Sequence, residues 1–286
     1  MLNLSRRFLL GLLAALFLAG VSVAMKSPRT DREWATQFQN VASFENPEPF
    51  QYKLRNLRKF EYHPDGSVEE RWGQVNLNTE NLVEAWFFVE PFPASDLFGH
   101  TFISFVFDNG DGTHDTVSVS VEARKEQGEN YSAILGVFRE YELSYVWSTE
   151  KDVSTRIAVS LDHPLYAYKI NQENNQAQII FDHFVQRTNS LVEKPRFYNT
   201  VFSNCTNELF KAVNEAFPGS VPRNPTWLLT GRSAQYLHAS GYLSDKSVSF
   251  DDVKARARVD EFMREAAGLP ERDFSRKWRE AHERSK

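Results

Sequence analysis

The chain contains a single cysteine, Cys205, among its 286 residues. A disulfide within the chain is therefore excluded, and so are zinc sites built from several thiolates. The sequence also has no G-x-S-x-G elbow, no phosphate-binding glycine loop and no histidine pair at metal-ligand spacing. The net charge of −5 offers no basic face for nucleic acid. We therefore predict no cofactor, no metal site and no nucleic-acid partner.

Long hydrophobic runs are also scarce, and the one present stands at the N-terminus. Arg6 and Arg7 form a positive n-region before the apolar run 8–25, and the small residues Ser22 and Ala24 fit an A-x-A-like cleavage site. The pattern predicts a signal peptide over 1–25, or an uncleaved anchor that associates with the inner membrane. The remaining chain is then periplasmic, either soluble or tethered at one end. An unpaired cysteine in an exported protein indicates a reactive thiol or an intermolecular bridge.

The rest of the chain changes character once. Residues 26–49 are polar and predict a linker, and residues from 50 to about 170 are rich in short β-type runs. Helical periodicity begins at Asn171, so the sequence predicts an α+β domain over 50–245. Residues 246–286 predict a charged helical tail that forms a solvated amphipathic appendage. Predicted strands lie near Phe60–Tyr62, Trp72–Leu77, Val83–Val89, Thr101–Phe107, Thr116–Ala123, Leu143–Trp147, Ile157–Val159 and Tyr166–Ile170.

The cysteine lies where a helix is predicted to begin. Ser203 and Asn204 are good N-cap residues, and apolar residues then recur at helical spacing from Leu209 to Phe217. A thiol at the N-terminus of a helix lies at the positive end of the helix dipole, which favours the thiolate. The alternative is a core cysteine, because free cysteine is among the most buried residue types and Cys205 lies on the apolar face with Leu209.

A cysteine nucleophile needs a base within hydrogen-bond reach, which is usually a histidine. Among the seven histidines, His100 stands out because it opens an apolar strand directly after Gly99. A glycine at that position allows a substrate or another backbone to come close. The alternative is a buried histidine whose hydrogen bond is satisfied within the core.

The turn Asp108–Thr113, DNGDGT, predicts a β-hairpin and suggests a third site residue. If the loop has an odd length centred on Asp111, His100 faces Glu122 across the hairpin. Glu122 would then accept a hydrogen bond from one imidazole nitrogen and leave the other for Cys205. A loop of even length shifts the register by one residue and removes this pairing. The alternative for Glu122 is an ion pair with Arg124 or another surface base. The turn does not predict a calcium loop, because the twelfth position holds no acid.

Several motifs together resemble a known family. FGHTFISF, SVEARKEQGENYS, YEL and FYNTVFSNCTNELF occur in this order, at 98–105, 120–132, 141–143 and 197–210. They resemble the bacterial Lnb N-terminal periplasmic domain family over about residues 55–243. The resemblance implies a permuted papain-like fold, with an antiparallel sheet packed on helices and a strand histidine that precedes the helix-borne cysteine. Similar permuted folds occur in lecithin:retinol acyltransferase-like enzymes and cell-wall amidases.

The resemblance also implies a function. The named member acts in lipoprotein N-acylation, so His100 and Cys205 would be catalytic, and Glu122 falls in a shared motif. The family name describes a domain joined to a membrane-embedded portion, whereas this chain has one apolar segment, and its tail after Ser249 matches no counterpart. We therefore expect a periplasmic thiol-dependent acyltransferase or hydrolase acting on an acyl-lipid, a lipoprotein or a cell-wall peptide. The alternatives are a peptidoglycan endopeptidase or amidase, and a non-catalytic envelope binding or assembly module.

Overall fold

The computed structural model describes residues 2–173, 175–243 and 247–284. The strands are β1 (Ser43–Glu48), β2 (Gln51–Arg58), β3 (Glu61–Tyr62), β4 (Val68–Glu69), β5 (Trp72–Asn78), β6 (Leu82–Phe92), β7 (Ser95–Asp108), β8 (His114–Arg124), β9 (Glu142–Thr149) and β10 (Tyr166–Lys169). The helices are α1 (Leu2–Ala24), α2 (Glu150–Thr155), α3 (Gln176–Glu193), α4 (Cys205–Ala216), α5 (Ser233–Ala239), α6 (Phe250–Arg256), α7 (Asp260–Ala266) and α8 (Glu271–Arg284). A π-helical turn, Arg156–Ser160, directly follows α2.

The protein is α+β, as predicted, with one large sheet packed between helices. The sheet has the order β1-β2-β9-β8-β7-β6-β10, and β5 also pairs with β2. The prediction of an antiparallel sheet is wrong at one place, because β2 and β9 pair in parallel at Arg58 and Ser148. The long stretch of chain between these two strands allows the parallel return, which a tight hairpin could not make. The sheet is therefore mixed.

The hairpin between β7 and β8 has the register predicted for an odd loop. Asp108 pairs with His114 at the turn, and Phe102 pairs with Ser120 farther along the ladder. The five-residue loop is centred on Asp111, and its glycines, Gly110 and Gly112, have φ of 76° and 81°, which other residues rarely adopt. Continued by two residues, the same register places His100 opposite Glu122.

Both faces of the sheet are buried, because successive side chains of a strand point to opposite faces. In β7, Ile103 and Phe105 pack with helices α3 and α4 on one face. Phe102 and Val106 pack on the other face, with residues of α2, α7 and α8. The tripeptide Phe87–Val89 is accordingly buried throughout.

The C-terminal tail is packed against this second face, so the prediction of a solvated appendage is wrong. Phe274 and Trp278 of α8 are fully buried, and the Trp278 ring makes an edge contact with Trp86 at 5.5 Å. Trp278 Nε1 also donates to the buried Glu150 carboxylate at 2.7 Å, and Arg279 pairs with its second oxygen at 2.6 Å. The sequence of α8 is so rich in charged residues that its narrow apolar stripe does not predict burial. The stripe is buried only because the folded sheet provides an apolar surface for it.

Two further predictions differ from the structure. Residues 43–48 form β1 in the large sheet, although the sequence predicts a linker there. Residues 157–159, predicted as a strand, lie in the π-helical turn, because the Thr149 side chain caps a helix by accepting from the backbone N–H of Asp152. The predicted domain boundary at 245 lies outside the described residues, and the division into domain and tail stays a prediction.

We expect Trp278→Ala to destabilise the whole protein. The substitution removes a fully buried indole and leaves the Glu150 carboxylate without one donor, at a cost of about 3–5 kcal/mol. Urea denaturation followed by circular dichroism would measure the loss. Phe202→Ala is the control, since the Phe202 side chain is 60% exposed. Equal stabilities of the Trp278 variant and the wild type would show that α8 is not part of the core.

Candidate functional site

Cys205 is the first residue of α4, and the preceding turn holds this helix start in place. The Asn204 side chain accepts from the backbone N–H of Asn207 at 2.8 Å and donates to the carbonyls of Thr200 and Trp227. Asn204 and Cys205 are both buried, the cysteine with 6% of its surface exposed. Asn204 thus caps the helix and ties it to the two loops on either side of the thiol.

A cluster of charged side chains around the buried Glu208 anchors the first turn of α4. Glu208 is fully buried and forms ion pairs with Arg187 and Lys211, and it accepts from Tyr145 Oη at 2.9 Å. Burial alone would raise the pKa of Glu208, but these cations lower it to about 2. Tyr145 lies on β9 and Arg187 lies on α3, so moving α4 away from them would leave the buried charge of Glu208 uncompensated. The cluster therefore fixes α4 against β9 and α3.

Gly99 brings the start of β7 close to two other segments. A Cβ at this position would lie 2.7 Å from the carbonyl oxygen of Glu90 on β6, so only glycine fits. Its backbone N–H donates to Thr230 Oγ1 at 2.9 Å, and the Thr230 hydroxyl donates to its carbonyl at 2.6 Å. The Cys205 sulfur lies 3.8 Å from the same carbonyl. Gly99 therefore allows a backbone, rather than a substrate, to come close.

His100, Ser120 and Glu122 form a connected polar group beside the thiol. His100 Nε2 lies 2.7 Å from Ser120 Oγ and 3.2 Å from Glu122 Oε1. Ser120 Oγ in turn donates to Glu122 Oε1 at 2.7 Å. The carboxylate therefore contacts the imidazole both directly and through the serine hydroxyl. The hairpin register explains this arrangement, and the role of Ser120 as a link between the two is a feature that sequence reasoning missed.

The charges of the group shift the pKa of the thiol and the pKa of the imidazole in opposite directions. Burial raises the pKa of Cys205, but the hydrogen bond and charge of His100 outweigh it and lower the pKa below its ordinary value. Burial lowers the pKa of His100, but the charge of Glu122 and the hydrogen bond to Cys205 raise it well above its ordinary value. Glu122 has a pKa below its usual range, because the charge of His100 outweighs the effect of burial.

The three residues line one cleft with a volume of about 570 Å³. This volume is in the range typical of small-ligand sites, about 300–1,000 Å³. Arg156 and the hydrogen-bonded residues His163 and Glu90 also line the cleft, and nothing in the sequence pattern pointed to these residues. The structure thus brings Cys205, His100 and Glu122 together. Within the described ranges, no group of histidine, cysteine and acidic residues is arranged to hold a metal ion.

The fold and the cleft define the class: an α+β protein in which a helix start and a β-hairpin place a thiol, an imidazole and a carboxylate side by side. The family model for the Lnb N-terminal periplasmic domain matches residues 69–230, and the chain belongs to this family. Membership agrees with the predicted export to the bacterial periplasm. No curated protein and no solved structure matches the chain. None of the described helices is both long enough and apolar enough to cross a membrane.

We expect the lowered pKa of Cys205 to appear in its alkylation. The rate of reaction with iodoacetamide should rise at a lower pH than for a free thiol, because His100 stabilises the thiolate. His100→Ala removes that cation, so the midpoint of the rate profile should move to higher pH. Mass spectrometry of the alkylated peptide gives the rates, and His63→Ala, outside the cleft, is the control. Identical profiles for the wild type and His100→Ala would contradict the assigned electrostatics.

Proposed function

We propose that this protein is a periplasmic enzyme that uses Cys205 as a nucleophile in acyl transfer or acyl hydrolysis. The observation that carries the proposal is that Cys205 and His100 line the same cleft, where His100 contacts Glu122 through its Nε2 nitrogen. This order of thiol, base and orienting acid is what nucleophilic catalysis by cysteine requires. A core cysteine would need neither the imidazole nor the carboxylate.

The chemistry would proceed in two steps. The Cys205 thiolate attacks the carbonyl carbon of an ester or amide, a C–S bond forms, and the carbonyl oxygen becomes an oxyanion. When the oxyanion collapses, the bond to the leaving alcohol or amine breaks, and the His100 imidazolium gives that group its proton. An amine or water then attacks the thioester while His100 accepts a proton, and the thiolate leaves. An amine acceptor makes the protein an acyltransferase, and water makes it a hydrolase.

Two parts of the chain would assist these steps. The backbone N–H of Cys205, at the start of α4, is the proposed oxyanion donor, because the first N–H groups of a helix lack partners within the helix. Glu122, with Ser120, would hold the imidazole in one orientation and stabilise the imidazolium. The arrangement supports the permuted papain-like relationship, in which the histidine strand precedes the cysteine helix along the chain.

The substrate class follows from the family resemblance. An acyl-lipid or a lipoprotein is the proposed substrate, and transfer to an amine is the reaction that the named family member implies. A peptidoglycan endopeptidase or amidase would use the same site on a cell-wall peptide. Incubation of the purified protein with diacylated lipoprotein and, separately, with purified cell wall would distinguish the two by the product released.

We expect Cys205→Ala to abolish acyl-enzyme formation, because no other side chain of the cleft can form the thioester. His100→Ala should lower the rate about 10²–10⁴-fold, as for other general bases. Glu122→Gln should cause a smaller loss, since the imidazole would remain but lose its anionic partner. Capture with an activated acyl probe, followed by mass spectrometry of the Cys205 peptide, measures each rate.

His63→Ala is the matched control, because it removes an imidazole outside the cleft. A Cys205→Ala variant that folds normally and restores the phenotype of a deletion strain would contradict catalysis. That result would favour the alternative of a non-catalytic envelope binding or assembly module.

We also propose that the mouth of the cleft meets a lipid surface. Five large side chains line the cleft and are also exposed to solvent: Phe92, Phe98, Tyr131, Leu161 and Leu228. Loop 133–138 joins this rim because Thr200 donates to the Ala133 carbonyl at 2.7 Å, and both residues line the cleft. Exposed apolar patches of this extent mark interaction surfaces. Arg139, next to the rim, donates to the carbonyl of Ala24 at the end of the apolar α1.

We expect the double substitution Ile134→Ser and Phe138→Ser to reduce co-sedimentation of the protein with vesicles of phosphatidylethanolamine and phosphatidylglycerol. The substitutions remove exposed apolar area that would enter the lipid interface, so the reduction should depend little on salt. The protein should lack residues 1–25 in this assay, so that α1 does not contribute. Val83→Ser removes an exposed apolar residue away from the rim and is the control. Equal sedimentation of all variants would contradict contact through the rim.

A further inference from the structure

Arg156 is a cleft residue whose charge has no close partner in the described structure. Among the arginines whose side chains the structure describes, four have neither a side-chain hydrogen bond nor an ion pair: Arg156, Arg223, Arg256 and Arg284. The last three are exposed to solvent, whereas Arg156 is partly buried and lines the cleft. Moving a charge out of water without a partner is unfavourable. An arginine in this position therefore indicates an anion that binds beside it.

Arg156 belongs to a segment that packs on the face of the sheet opposite α4. The residue opens the π-helical turn that follows α2, and the next two residues, Ile157 and Ala158, are fully buried and fix the turn to the core. Such turns are rare and are frequent at functional sites. Leu161 and His163, farther along the same segment, also line the cleft. The segment thus contributes a cation, an apolar side chain and an imidazole to one wall.

The two carboxylates of the cleft are engaged elsewhere. Glu122 contacts His100 and Ser120, and Glu90 lies 2.6 Å from His163 Nδ1. Burial raises the pKa of Glu122, while the charges of His100 and then Arg156 lower it, so Arg156 acts on this carboxylate from a distance. Neither carboxylate makes a hydrogen bond or an ion pair to Arg156 in the described structure. The guanidinium donors are therefore available to a ligand.

We propose that Arg156 binds an oxyanion of the substrate, either a carboxylate or a phosphate, and thereby positions the scissile carbonyl at Cys205. The guanidinium presents its N–H groups as a planar fork that matches both anions in a bidentate geometry. The proposal rests on the proposed function, because it concerns the substrate of the same site. It makes Arg156 a specificity-determining residue whose contact lies away from the reacting atoms.

Two esters with the same leaving group would test the proposal. The wild type should turn over mono-p-nitrophenyl glutarate, which carries a carboxylate, with a higher kcat/KM than p-nitrophenyl acetate, which is neutral. Arg156→Gln should lower kcat/KM for the glutarate ester about 10- to 100-fold, the usual effect of losing a charged hydrogen bond. The same variant should lower kcat/KM for the neutral ester by a much smaller factor, because that ester has no anion for Arg156 to bind. Equal losses for both esters would overturn the proposal, since they would indicate a structural role.

Lys125→Gln is the matched control, because Lys125 also lines the cleft and the substitution removes the same charge. A loss equal to that of Arg156→Gln would show that the net charge of the cleft, rather than the guanidinium, attracts the anion. Competitive inhibition by inorganic phosphate and by acetate would then distinguish the two anions, and the stronger inhibitor indicates the anion that the substrate carries.

A binding measurement keeps the proposal independent of catalysis. In the Cys205→Ala protein, titration calorimetry should detect binding of inorganic phosphate or acetate, and the double variant Cys205→Ala, Arg156→Gln should lose it. A wild type that hydrolyses neither ester while Cys205→Ala still binds the anion would contradict the proposed function alone. Hydrolysis of the neutral ester without anion binding would contradict the role of Arg156 alone.

Discussion

The close approach of Gly99 to its neighbours is the constraint on which the site depends. Strand β7 passes so near the Glu90 carbonyl that a Cβ could not be accommodated, and Thr230 bonds both backbone groups of this residue. These contacts fix the first part of β7 beside the start of α4, with the Cys205 sulfur 3.8 Å from the Gly99 carbonyl. His100 follows directly along the strand. One glycine thus sets the distance between the helix that carries the thiol and the strand that carries the base.

The sheet and helix that carry the site are held in place by packing on both faces of the sheet. On one face, the buried Glu208 in the first turn of α4 forms ion pairs with Arg187 and Lys211. On the opposite face of the sheet, α8 buries Trp278 against Trp86 and bonds the buried Glu150. Breaking either arrangement would leave a buried charge or a cavity, so both resist displacement. The polar group of the cleft therefore rests on a sheet that is held from both faces.

The cleft combines three kinds of surface that serve different parts of the proposed reaction. The thiol, His100 and Glu122 would perform the chemistry, the guanidinium of Arg156 would hold an anion, and the exposed apolar rim would meet lipid. Each of these assignments depends on residues from distant parts of the chain. The three groups consist of different residues, so a substitution in one group leaves the residues of the other two in place. Variants of each group can therefore test the three assignments separately.

Sequence alone determined the features that depend on local chemistry. The turn DNGDGT predicted the hairpin, and Asn204 predicted the start of α4, because turn and cap geometry act over a few residues. Which of the two possible registers the hairpin has was decided only by the tertiary structure. Only the tertiary structure decided that Ser120 links His100 to Glu122, that the Glu208 cluster anchors α4, and that Arg156 faces the cleft. It also decided that β1 joins the edge of the sheet and that α8 is packed into the core, because these short or highly charged segments contain too few apolar residues to predict either contact from sequence.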